Sequence, residues 1–273
     1  MDITADSTHP EPTDSPQRGA PYRVPWGPRD VGIATLVFIG AFLLIPIPIV
    51  LPFAFGDTEA RPAVLAGLVA GIVVYAAIAY IIYRTTIQKY RATLADLGIK
   101  RPAWTTLGWA ALAFTGALIA GLAYNGIVQW FEIGILQQEC ADQIPGYLRN
   151  DALLLAITSA VAVILAPPIE ESFFRGFAFS GLLRSWGLVP AVAVSGLMFG
   201  SAHLLGNPLL YKSLIQFALI GMIFALVYWK SGNLLSTVMA HFAFNLLGVI
   251  AIAATTCDNT GTIAFIRHWG FAA

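Results

Sequence analysis

Apolar residues run along this chain in seven long stretches, at about 31–55, 62–83, 105–128, 151–184, 189–205, 213–229 and 234–254. Each is near the ~20 residues that a helix needs to cross the hydrocarbon of a bilayer. The pattern predicts an all-α, multi-pass membrane bundle of about seven transmembrane helices. The first stretch is interrupted by Pro46, Pro48 and Pro52. Residues 1–29 carry Pro10, Pro12, Pro16, Pro21 and Pro25 among Asp, Thr, Ser and Gly, a composition with no core to bury. They are expected to form a disordered cytoplasmic tail, leaving 30–273 as a polytopic membrane domain.

The alternation of long apolar runs is broken once by charge at membrane depth. Glu170, Glu171 and Arg175 are the only residues ionisable at neutral pH between Ala152 and Leu183. An ionised group inside a bilayer is costly and is as a rule paired or functional. On a helix Glu171 and Arg175 are spaced i,i+4 and neutralise each other. Glu170 points about 100° away and has no partner in its own segment.

Gly187, with Ser185, Trp186 and Pro190, marks a turn between the fourth and fifth stretches. Glu170 stands 17 residues before Gly187 and His203 stands 16 after it. In an antiparallel helical hairpin both lie roughly 25 Å from the turn, and so at one depth. Pro167 and Pro168 are expected to break the helix just ahead of Glu170, or to start a new one. The seventh stretch adds His241 and Asn245, again i,i+4 on one face. The site is therefore expected between the fourth, fifth and seventh helices, in the cytoplasmic half of the bilayer.

Each feature also has a plain structural reading. Glu171 and Arg175 are explained as a structural ion pair. His203, His241 and Asn245, taken singly, are polar groups that join membrane helices. Phe173, Phe174, Phe177, Phe199, Phe242 and Phe244 are most simply packing or lipid-facing aromatics. Taken jointly, a carboxylate, two imidazoles and a carboxamide from three spans resemble a buried acid–base site.

Composition agrees with the membrane reading. The chain is 58% hydrophobic and 11% charged, where a soluble domain carries about 25% charged residues. A formal net charge of zero offers no basic face for nucleic acid. Lys and Arg gather on one side: Arg18, Arg23 and Arg29, then Arg84, Lys89, Arg91, Lys100 and Arg101, then Arg184 and Lys230. The positive-inside rule predicts a cell-membrane protein with a cytoplasmic N-terminus and an outer C-terminus. Cys140 and Cys257 then share the outer side, where a disulfide is permitted but not required. The acidic start lacks the features of a cleaved signal peptide.

Three ordered motifs resemble those of the CAAX protease and bacteriocin-processing family of intramembrane endopeptidases. EExxxR stands as Glu170-Glu171-Ser172-Phe173-Phe174-Arg175, FxxxH as Phe199 to His203, and HxxxN as His241 to Asn245. The resemblance covers 150–255, the expected catalytic core. It implies hydrolysis of a peptide bond in a membrane-associated or lipidated substrate. By resemblance, Glu170 and His203 activate water, Glu171 and Arg175 support the motif, and His241 and Asn245 stabilise the oxyanion. The family has also been described as metal-dependent. Glu170, His203 and His241 could hold zinc with an open position for water. The chain has no HExxH, and a metal-free mechanism is favoured.

Rival readings remain open at this stage. A rhomboid-type serine protease would use Ser195 or Ser201 with His241, but the GxSG element is missing. A proton-coupled transporter would relay protons through Glu170 and His203, although no inverted repeat is apparent. A non-hydrolytic scaffold or immunity protein would keep the motifs without turnover. Substrate identity and oligomeric state have no signature in the sequence.

Overall fold

A computed structural model describes residues 24–57, 60–136, 151–206 and 208–254. Among the described residues, every regular element is helical. Seven helices are long and apolar enough to cross a membrane: Pro28–Phe53, Arg61–Gln88, Trp104–Trp130, Ala152–Trp186, Leu188–Leu205, Tyr211–Ser231 and Leu234–Ala251. These are the seven expected spans, with ends shifted by a few residues. Cys140 and Cys257 lie outside the described residues.

Gly187 and Gly232 make the turns that end the fourth and sixth spans. Both have positive φ, +77° and +61°, where a side chain would be strained. The fifth and sixth spans approach most closely at glycines. A Cβ on Gly200 would stand 2.7 Å from the Leu214 carbonyl, and one on Gly221 2.9 Å from the Gly196 Cα. In lipid, small residues of this kind let helix backbones pack where no hydrophobic force drives them together.

The expected tail reaches too far. Val24 and Trp26 are buried, and the Trp26 indole donates to the Phe177 carbonyl at 2.9 Å. Arg184 donates to the carbonyls of Val24 and Pro25. The segment just before the first span is thus clamped to the tip of the fourth, because Gly181 leaves room for the indole ring.

The basic connection after the second span is also built in. Leu97 is buried, the Gly98 carbonyl accepts from Leu234 N at 2.7 Å, and Tyr228 donates its hydroxyl to the Leu97 carbonyl. Gly176, which follows the first motif, lies against the Leu97 carbonyl, so a Cβ there would come within 2.9 Å of it. This connection is a wedge beneath the fourth, sixth and seventh spans.

At its prolines the fourth span follows the second of the two expectations: a new α-helical segment, Ala166–Glu171, starts there with proline in its first turn. The helix does not break at Pro167 and Pro168. It continues from Ala152 to Trp186, widening to π-helix at Val161–Leu165 and again at Ser172–Phe179. Two successive prolines have no N–H to return to the preceding turn, and their rings need space there. The wider turn at Val161–Leu165 supplies that space. Such π segments inside α-helices are frequent at functional sites.

Candidate active site

The EExxxR motif starts in the α-helical turn after the first π segment and runs into the second, which holds Ser172 to Arg175, and its charges divide between two environments. Glu171 and Arg175 are both fully buried and pair at 3.0 Å. The guanidinium also donates to the Gly221 carbonyl at 3.2 Å and lies 4.4 Å from the Phe199 ring centre, with Phe224 and Phe174 completing an aromatic cage. That arrangement is the structural pair expected from i,i+4 spacing. Glu170, one residue earlier, keeps 16% of its side chain exposed and faces other spans.

Glu170 meets two partners. Tyr75 of the second span donates its hydroxyl to Oε1 at 2.8 Å. His241 of the seventh span brings Nε2 to 3.9 Å from Oε2. The other nitrogen of His241, Nδ1, lies 3.0 Å from Glu171 Oε1. An ionised carboxylate only accepts, so Nδ1 carries hydrogen and Nε2 is directed at Glu170. Glu171 therefore does more than neutralise Arg175: it fixes the orientation of His241.

His203 is held by its own helix. Its Nδ1 lies 2.9 Å from the Phe199 carbonyl, four residues back, so Nδ1 is the donor and Nε2 the available acceptor. The ring stacks on Phe217, with centres 4.2 Å apart, and meets Phe199 edge-on at 4.8 Å. Phe199 also meets His241 edge-on at 5.6 Å. The FxxxH spacing thus has a physical basis: Phe199 touches Arg175, His203 and His241 together. His203 lies within electrostatic reach of Glu170 and His241.

Asn245 is one turn beyond His241, and its amide donates to the Ala162 carbonyl at 2.8 Å. Ala162 belongs to the first π segment, so the widened turn presents a carbonyl that the seventh span satisfies. A carboxamide nitrogen has two hydrogens, and one remains for another acceptor.

Contacts thus join Glu170 and Glu171 of the fourth span to His241 of the seventh, Phe199 of the fifth touches Arg175, His203 and His241, and Asn245 of the seventh reaches the Ala162 carbonyl of the fourth. The structure adds the second span through Tyr75, which the sequence reading did not single out. The available signal was weak. Tyr75 and Tyr80 are the polar side chains in the apolar body of that span, and a partly buried tyrosine hydroxyl at depth calls for a partner.

The serine alternatives do not assemble. Ser195 is buried and donates to the Phe174 carbonyl at 3.0 Å, while His241 directs its nitrogens at the two glutamates. Ser201 is exposed and lines an apolar cavity of about 310 Å³ with Thr35, Phe38 and Leu197. Among the described residues no group of three or more His, Cys, Asp or Glu is arranged to hold a metal ion.

Comparison with known proteins matches residues 152–247 to a family described as type II CAAX prenyl endopeptidase, Rce1-like. The match spans all three motifs and supports the family resemblance read from them. No curated protein and no solved structure matches the chain.

Proposed function

We propose that this multi-pass membrane protein, whose residues 152–247 match the model of the Rce1-like CAAX prenyl endopeptidase family, hydrolyses a peptide bond of a membrane-associated or lipidated protein within the bilayer. A protease activity is what the family implies. The assignment of steps to residues is our own reading.

Glu170 Oε2 and His203 Nε2 act on the nucleophilic water. The pair removes a proton as the water oxygen bonds to the scissile carbonyl carbon. The carbonyl oxygen becomes an oxyanion and accepts hydrogen bonds from His241 Nε2 and from the second N–H of Asn245. Because Nδ1 donates to Glu171, donation from Nε2 as well requires the ring to carry a hydrogen on each nitrogen. The proton taken from water passes to the leaving amine as the C–N bond breaks. Donors fixed before the reaction need no reorganisation when charge develops.

The observation that most supports this reading is that each reacting side chain has its other polar atom pinned. His203 is held by Phe199, His241 by Glu171, Asn245 by Ala162 and Glu170 by Tyr75. A transporter that relays protons would gain little from groups held this firmly.

The test is cleavage of a membrane peptide library by the purified protein. Glu170→Gln and His203→Ala should each lower cleavage by about 10²–10⁴-fold, the usual contribution of general-base catalysis. The double variant should be little worse than either single one, because groups that act as a unit are non-additive. A chelator should leave turnover intact, whereas loss restored by zinc would recast Glu170, His203 and His241 as ligands. Near-normal turnover in Glu170→Gln would overturn the proposal and leave a transporter or scaffold standing.

A further inference from the structure

Tyr75 lies in the second span, outside the stretch that matches the endopeptidase family. We infer that it is a positioning residue for the catalytic glutamate: its hydroxyl holds Glu170 Oε1 and so leaves Oε2 as the atom that takes the proton. This inference rests on the hydrolytic reading of the site.

Three observations carry it. The Tyr75 hydroxyl donates to Oε1 at 2.8 Å, a normal length for an O–H···O bond, across two spans far apart in the chain. The face that presents it is fixed by packing, because Val74 and Ile78 on either side are 2% and 1% exposed. The next tyrosine, Tyr80, is 59% exposed and stacks near Tyr83, so it belongs to the lipid-facing surface. Of these two tyrosines only Tyr75 is turned inward to the motif.

The chemistry needs such a group. Glu170 has no partner on its own helix, unlike Glu171. It is within electrostatic reach of Arg175 and of His203. A carboxylate free to rotate could turn toward Arg175 and lose its aim. A neutral phenol can hold one oxygen without taking the charge: it is too weak an acid to give up its own proton to the carboxylate and too weak a base to take the transferred one. With Oε1 held, Oε2 faces the His241 side of the site, where His241 Nε2 stands 3.9 Å away. Productive geometry of this kind is commonly set by a supporting hydrogen bond from a rigid element.

The experiment uses the full-length protein in detergent and a fluorogenic membrane peptide that it cleaves. Tyr75→Phe removes one oxygen atom and keeps the ring. It should lower kcat by about 10- to 100-fold, the equivalent of a hydrogen bond to a charged group, with KM unchanged. A packing role would survive that substitution. Tyr80→Phe should leave both constants as they are. Tyr75→Leu, which also loses the ring, should be at least as impaired as Tyr75→Phe. Should the Phe variant fail to purify as a monodisperse species, 3,5-difluorotyrosine at position 75 reads the same bond. It keeps the ring and alters the donor, so kcat should change while KM holds.

Wild-type kcat in Tyr75→Phe, or an unaltered kcat with difluorotyrosine, would overturn the inference. So would a loss expressed in KM alone. If Glu170→Gln is inactive while Tyr75→Phe is fully active, only the role of Tyr75 fails. If Glu170→Gln itself turns over normally, the hydrolytic reading fails and the inference falls with it.

Discussion

Replacing Arg175 by methionine isolates the energetic role of the buried pair. Glu171 and Arg175 are both 0% exposed and 3.0 Å apart. Solvent screening therefore does not dilute their attraction, which Coulomb's law puts at about 5 kcal/mol with an effective dielectric of about 20. Breaking a buried pair by removing one partner typically costs about 3–5 kcal/mol, because the remaining charge is stranded. Methionine fills much of the same volume, so the cavity contribution stays small. The variant also loses the bond to the Gly221 carbonyl and the ring contact with Phe199. Heating the protein in detergent, followed by tryptophan fluorescence, should show a loss on the order of 10 °C in apparent Tm for a chain of this size. The double variant Glu171→Gln with Arg175→Met removes the stranded charge and keeps an acceptor for His241 Nδ1. It should regain most of the loss, since uncharged replacements of buried pairs are often nearly neutral. Glu170→Gln should melt close to the wild type, because Glu170 is partly exposed and outside the pair. An Arg175→Met protein that melts with the wild type would refute the reasoning, and so would a double variant no better than the single one.

Other consequences can be measured in the same preparations. Asn245→Ala should lower turnover by roughly 10²–10³-fold while substrate still binds, as for loss of an oxyanion donor; a change in KM alone would argue for a binding role. Gly98→Ala should destabilise the fold by about 1–3 kcal/mol through backbone strain. Gly98 has φ +82°, and a Cβ there would stand 2.5 Å from the Tyr228 hydroxyl, whereas Gly40→Ala, with nothing within 4 Å, is the control. A cytoplasm-specific reporter fused after Ala273 should be inactive if the N-terminus is inside and seven spans follow; strong activity would reverse the orientation.

Much of the architecture was legible because the relevant information is local. Hydropathy summed over ~20 residues is enough to mark a span, and all seven spans appear with small shifts at their ends. Helix geometry turns i,i+4 spacing into contact, so Glu171 and Arg175 could be paired from their numbers alone. Gly187 was readable as a turn, and the backbone there does take the positive φ that glycine tolerates. Pro167 and Pro168 left two outcomes open for an equally local reason. Proline excludes a normal turn ahead of it, but whether the chain breaks or widens is decided by the helices around it. Here Asn245 satisfies a carbonyl of the widened turn, and the helix continues.

What the sequence by itself determined is therefore the number of spans and the pairing of Glu171 with Arg175. The tertiary structure alone decided who faces whom. It put Tyr75 on Glu170, His241 on Glu171, Asn245 on Ala162, Trp26 beneath Phe177 and the wedge at Leu97 under three spans. The physical reason lies in the solvent. A lipid tail is as apolar as a leucine, so hydropathy fixes that a helix is inside the membrane but not which side of it meets a neighbour. Rotation about each helix axis is settled by glycine-lined close approaches and by a few polar contacts between residues distant in the chain. Those contacts leave no periodic trace in the sequence, and in this protein they build the site.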